Sequence, residues 1–145
     1  MVISLKASAV LDTNAIVPAL IFGGQLTPLA DMITSENFNM FITRELLQEL
    51  SRVLSYPKIL QVLTKRKITP ADIIYAVVQN ATIIMAKPLA QIVIIDDPDD
   101  DAVLACALTA GVDYIISGDA HLTNLISFCG IPILTPSQFL QEIKL

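Results

Sequence analysis

The stretch "DDDAVLACALTAGVDYIISGD", Asp99 to Asp119, carries the pattern on which the fold turns. A helical run follows the acids and stops at Gly111. A nearly all-apolar strand candidate, "DYIIS", comes next, and one glycine later another acid. A strand with so little polar alternation must be buried on both faces, the condition of a parallel sheet covered by helices. The same order recurs outward. "SAVLD" (Ser8 to Asp12) is a short apolar run ending in an acid, and "NAIVPALIF" after it reads as a helix that stops at Gly23-Gly24. A second helix is expected from Pro28 to Ser35, a strand at "FNMFIT", and a helix from Arg44 to about Leu54 capped by Thr43. "TPADIIYAVVQNATIIM" (Thr69 to Met85) has a Thr cap, a Pro at the first helical position and the spacing of one long buried helix. "QIVIID" and "IPIL" read as strands, and "TPSQFLQEI" as a closing capped helix. The alternation predicts an α/β chain of three layers, α/β/α, around a central parallel sheet of about five strands.

Composition limits what such a chain can be. Its 145 residues fit a single domain, residues 1–145, with a core large enough to stand without disulfides. The apolar share is 54%, yet no apolar run approaches the ~18 residues of a membrane span. Core and a subunit interface are expected to take up the surplus. The start "MVISLKASAVLD" is interrupted by Lys6 and an acid, unlike a secretory signal, and points to a cytoplasmic protein. Cys106 and Cys129 have no CxxC spacing and are expected to be reduced core residues, and lone His121 completes no zinc set with them. The net charge of −5 argues against a broad basic nucleic-acid face, although seven of the nine Lys and Arg residues lie between Arg44 and Lys87. The run "KRK" (Lys65 to Lys67) reads as a solvated loop.

The acids are the informative residues. Asp12 follows the first strand and Asp119 follows "DYIIS", so both belong at the carboxyl edge of the sheet, where open parallel sheets bind ligands. In the helix from Arg44, the stripe of Leu46, Leu47, Leu50, Val53 and Leu54 leaves Glu49 about 100° from its centre and Glu45 about 140°. Glu49 should therefore border the core while Glu45 faces outward. Asp101, Leu104, Ala105 and Leu108 repeat at i, i+3, i+4, i+7, which starts the buried stripe of the next helix at Asp101. Helix capping accounts for one or two of the five acids between Asp96 and Asp101, not for all of them. Like charges gathered at one edge call for a hard divalent cation held by oxygen ligands, Mg²⁺ or Mn²⁺.

Other carboxylate chemistries fit less well. A calcium loop starting at Asp97 would have Ala102 where glycine is needed and Leu108 where glutamate is needed. A dehalogenase-type phosphatase needs a second Asp where "LDTN" has Asn14, and a phosphoacceptor domain places its acidic pair after the first strand. No phosphate loop of the GxxxxGK[ST] kind is present.

The pieces "VLDTN", "ELLQELSRVLSYPKI", "DPDDDAVLACAL", and "DYIISGDAHL" with "GIPILTPSQFL" together resemble the PIN domain family, which includes VapC-like nucleases of toxin-antitoxin pairs, nearly end to end. The resemblance implies an acidic quartet of Asp12, Glu49, Asp101 and Asp119 as catalytic and metal-holding residues. Under the same resemblance Asp97 and Asp100 are expected to be supporting carboxylates, and Asn14 and Ser117 supporting hydrogen-bonding groups. It further implies Mg²⁺- or Mn²⁺-dependent hydrolysis of RNA phosphodiester bonds, with the metal activating water and neutralising phosphate charge. The implied partners are an RNA substrate, an antitoxin protein and further copies of the chain, with no membrane. The alternative reading is a catalytically silent PIN-like module that acts by binding protein or RNA.

Overall fold

The computed structural model describes residues 7–22, 27–35, 38–89 and 98–143. Among the described residues, six strands form one sheet: β1 (Ala7–Leu11), β2 (Phe38–Thr43), β3 (Ala81–Ile84), β4 (Tyr114–Ile116), β5 (Ser127–Phe128) and β6 (Ile131–Leu134), in the order β3-β2-β1-β4-β6-β5. All neighbours run parallel except the short β5, which pairs antiparallel with β6. The helices are α1 (Thr13–Val17), extended by a π-helical turn over Pro18–Phe22, α2 (Thr27–Ile33), α3 (Arg44–Leu54), α4 (Pro57–Lys65), α5 (Pro70–Asn80), α6 (Pro98–Ala110), α7 (Ala120–Thr123) and α8 (Pro136–Glu142). Helices α3, α5 and α6 pack together over one part of the sheet, while α2 and α8 contact each other and cover β2 and β6. This is the expected three-layer α/β/α arrangement, and among the described residues β3 and the two-residue β5 are strands beyond those expected. No described helix is long and apolar enough to cross a membrane.

The central strands are apolar because both of their faces are covered. Ala9, Val10, Leu11, Met40, Ile42, Ile115 and Ile116 are all buried, which excludes the in-out alternation of a half-solvated sheet. Helix α3 shows how the next layer attaches. Thr43 caps it, its Oγ1 accepting from the Leu46 N–H at 3.2 Å. Leu46, Leu50 and Leu54 then bury one stripe, each burial favourable by roughly 1.5–3 kcal/mol. Helix α6 ends at Gly111, whose φ of +66° suits a glycine and whose N–H reaches the Ala107 carbonyl at 3.0 Å.

Four expectations need correction. The long helix read over Thr69 to Met85 stops at Asn80, and "ATII" is the edge strand β3, parallel to β2. Ala81 is already extended, and the consecutive β-branched residues Thr82, Ile83 and Ile84 suit a strand better than a helix end. The buried stripe of α6 is shifted by one residue: Asp100, Val103, Leu104 and Ala107 are buried, whereas Leu108 is 47% exposed. Helix α4, over "PKILQVLTK", was not anticipated, although the "KRK" end is an exposed turn as expected, with Lys67 at φ 58°. Cys106 is a buried free thiol, but Cys129 is exposed in the β5–β6 turn, where it and Gly130 both take positive φ. The strand reading at "QIVIID", the helix stop at Gly23-Gly24 and the supporting role given to Asp97 lie outside the described residues.

Candidate active site

The direction in which strands are added to the sheet reverses at β1. From β1 the chain adds β2 and then β3 on one side, and β4 joins on the other. The crevice at the carboxyl ends of β1 and β4 is therefore the switch point at which open α/β sheets bind ligands. Register fixes what stands there. Leu11 pairs with Ile116, so the next residues of the two strands, Asp12 and Ser117, lie side by side, and the Asp12 N–H donates to the Ile116 carbonyl at 3.1 Å. At the opposite end of the same strand pair, Asp113 is occupied by Ser8, whose N–H and hydroxyl donate to its Oδ2 at 3.1 and 3.0 Å.

Asp12 is the most confined acid of the crevice, only 4% exposed. It caps α1 through Oδ1, which accepts the Ala15 N–H at 3.0 Å, and its Oδ2 accepts a hydrogen bond from the Ser117 hydroxyl. Burial pushes its carboxyl up to about 6. The hydrogen bonds from Ser117 and Ala15 oppose that rise, and the charge of Asp119 adds to it. The Ser117 oxygen also accepts the Asp119 N–H at 2.9 Å, so one buried hydroxyl links both strand-end acids. Asp119 caps α7, its Oδ1 accepting the His121 N–H at 2.8 Å. Between them Gly118 passes close to α1: a Cβ there would lie 3.3 Å from the Asn14 carbonyl oxygen.

The resulting open cleft, about 320 Å³ counting the space that opens to solvent, is lined by Asp12, Thr13, Asn14, Leu46, Glu49, Asp100, Val103 and Asp119. Three members of the expected quartet, Asp12, Glu49 and Asp119, meet in it. Among the described residues, the fourth acid at the cleft is Asp100. Asp101 is half-buried and is not among the lining residues, because the helical phase of α6 presents the preceding residue. Glu49 is held by the Arg52 guanidinium one turn on, while Glu45 is exposed and lines a different depression with Thr43 and Lys87. Asn14, exposed at the mouth, and buried Ser117 stand where supporting groups were expected.

His121 is a cleft neighbour that sequence reasoning set aside. Its Nδ1 lies 3.6 Å from Asp100 Oδ2 and 3.7 Å from Asp119 Oδ1, and ligand atoms of these three residues all fall within 4.8 Å of one another. The signal was its place two residues after a strand-end acid, at the start of a helix capped by that acid. Oxygen donors from several elements, one of them raised by burial and a neighbouring charge, form a donor set that fits a hard divalent cation. Cys106 takes no part in this chemistry: burial and the charge of Glu45 push its thiol up to about 12, which leaves it protonated and inert.

Among curated proteins none matches this chain. The family description "PIN domain" matches residues 8–121. That span runs from β1 to the imidazole beside Asp119, taking in every residue of the cleft, and the chain belongs to the PIN domain family.

Proposed function

We propose that this protein is a Mg²⁺- or Mn²⁺-dependent ribonuclease that hydrolyses phosphodiester bonds at the cleft between β1 and β4. PIN domains are in general metal-dependent nucleases that act on RNA or DNA. The observation that carries the proposal is the convergence of Asp12, Glu49, Asp100 and Asp119, from four separate segments, on one switch-point cleft. Asp12, Asp100 and Asp119 would hold the cation, with Glu49 at its border and Asp101, the sequence candidate, outside the lining. When bound, the cation supplies water activation and neutralises charge on the phosphate.

The chain's own groups provide orientation. Ser117 fixes the rotamer of Asp12, the α7 backbone fixes Asp119, and Arg52 fixes Glu49. The exposed Asn14 amide at the mouth offers hydrogen bonds to a nucleic-acid backbone. No side chain has to act as a nucleophile. Incubation of the protein with single-stranded RNA and Mn²⁺ should give cleavage that chelation stops and that Asp12→Asn abolishes. Equal cleavage by folded Asp12→Asn would refute the assignment.

The resemblance to VapC-like chains supports a role as the toxin component of a toxin-antitoxin pair, working in the cytoplasm with a protein antitoxin as partner. Exposed apolar side chains support self-association into a homodimer or higher oligomer: Tyr75 is 66%, Ile83 50% and Met85 91% exposed. Growth arrest on expression, relieved by Asp12→Asn, tests the first point. Light scattering at micromolar concentration tests the second, and a strict monomer would remove it.

A further inference from the structure

We infer that His121 is a nitrogen ligand of the metal centre, sharing the cation with Asp100 and Asp119 and shifting its preference from Mg²⁺ toward transition ions such as Mn²⁺. The inference rests on the metal-dependent reading above and deepens it, because it fixes the donor set and hence the kind of cation.

The geometry comes from the backbone. The His121 N–H donates to Asp119 Oδ1 at 2.8 Å, which sets His121 in the first turn of α7 directly beside that carboxylate. From there its Nδ1 lies 3.7 Å from Asp119 Oδ1 and 3.6 Å from Asp100 Oδ2. Both distances exceed a hydrogen bond. They lie between the separations of donors that share one ion: with ligands at roughly 2.1 Å, neighbouring octahedral positions are about 3 Å apart and opposite ones about 4 Å apart, so a side-chain adjustment of roughly half an ångström brings each pair to a shared-ion distance. The three residues come from two elements, the N-terminal turn of α6 and the N-terminal turn of α7, and Asp100 is only 5% exposed. Asp100 and Asp119 both line the cleft, so an entering cation meets two carboxylates at once. His121 itself is half-exposed, so its ring is accessible to an entering ion.

Ligand chemistry gives the consequence. A set of carboxylates alone favours Mg²⁺, Ca²⁺ or Mn²⁺ with little discrimination, whereas an imidazole adds a softer donor that Mg²⁺ uses poorly. The alternative role for His121 is an imidazolium that merely balances the two acids, and it predicts no metal–nitrogen bond.

The test is pulsed electron paramagnetic resonance of Mn²⁺ bound to the wild-type protein, together with calorimetric titration of Mn²⁺ and Mg²⁺ into wild type and His121→Ala. The expected result is a nitrogen hyperfine coupling on wild-type Mn²⁺ that His121→Ala removes. Mn²⁺ affinity should fall about tenfold or more in that variant while Mg²⁺ affinity changes much less. Bound Mn²⁺ that is sensitive to Asp12→Asn but shows no nitrogen coupling would overturn the role of His121 and leave the carboxylate centre standing. Failure of the wild type to bind either cation would overturn both.

Discussion

The Ser117 hydroxyl donates to the buried Asp12 carboxylate across the boundary between β4 and β1. The same oxygen accepts the Asp119 N–H at 2.9 Å, so the two strand-end acids are oriented as a pair. The link is a consequence of register: once Leu11 pairs with Ile116, residues 12 and 117 have to meet.

Ser117→Ala should therefore keep the fold, since Ser117 is replaced by a smaller residue, but it removes the donor that favours the ionised form of Asp12. Stability at neutral pH should fall by about 1–3 kcal/mol, and RNA cleavage by on the order of ten- to a hundredfold through loss of carboxylate orientation. Cleavage rates and a thermal melt of the variant check both parts. Full activity would show that Asp12 is held without Ser117.

Asp12 makes the metal-free protein pH-sensitive. Its carboxyl is raised from 3.8 to about 6 in the folded state, so the native protein binds more protons than the unfolded chain between these values. The contribution of the group to stability is complete below pH 3.8 and is lost as pH rises to about 6. The full difference is worth up to about 3 kcal/mol. Asp12→Asn should accordingly melt higher than wild type at pH 7.5 without metal, and the gap should close near pH 4. Added Mn²⁺ should stabilise wild type far more than the variant. A variant that melts lower than wild type at both pH values would contradict the assignment of burial as the dominant cause.

Two neighbouring pairs of acids separate site from surface. Glu49→Gln and Asp100→Asn should each lower cleavage by at least about tenfold, because both carboxylates line the cleft. Glu45→Gln and Asp101→Asn should leave it within a few-fold of wild type, since Glu45 is exposed and Asp101 is outside the lining. Parallel cleavage assays on the four variants decide this. If Asp101→Asn is the inactive one of its pair, α6 enters the active protein in a different helical phase.

Why the sequence resolved the phase of one helix and shifted that of another by one residue follows from amphipathicity. In α3 the leucines make a narrow stripe with charged residues opposite, so one helical phase fits, and it distinguishes Glu49 from Glu45. Helix α6 is apolar nearly all round, with Val103 to Ala107 all buried. Both Asp100-Val103-Leu104-Ala107 and Asp101-Leu104-Ala105-Leu108 satisfy helical spacing there, and only packing shows that Leu108 is exposed. Asp12 and Asp119 were legible because an acid after an all-apolar strand has one place to be in a parallel sheet. The strand "ATII" was hidden by the helical run before it, whose apolar spacing continues without a glycine or proline at Asn80. His121 was judged against the distant cysteines; its actual neighbours, Asp100 and Asp119, meet it only through the tertiary fold.

The most direct measurement is the anomalous difference density of crystals soaked in Mn²⁺. A peak is expected in the cleft beside Asp12, Asp100 and Asp119, and none in Asp12→Asn crystals. A cleft without a peak at millimolar Mn²⁺, or a peak that persists unchanged in Asp12→Asn, would contradict it.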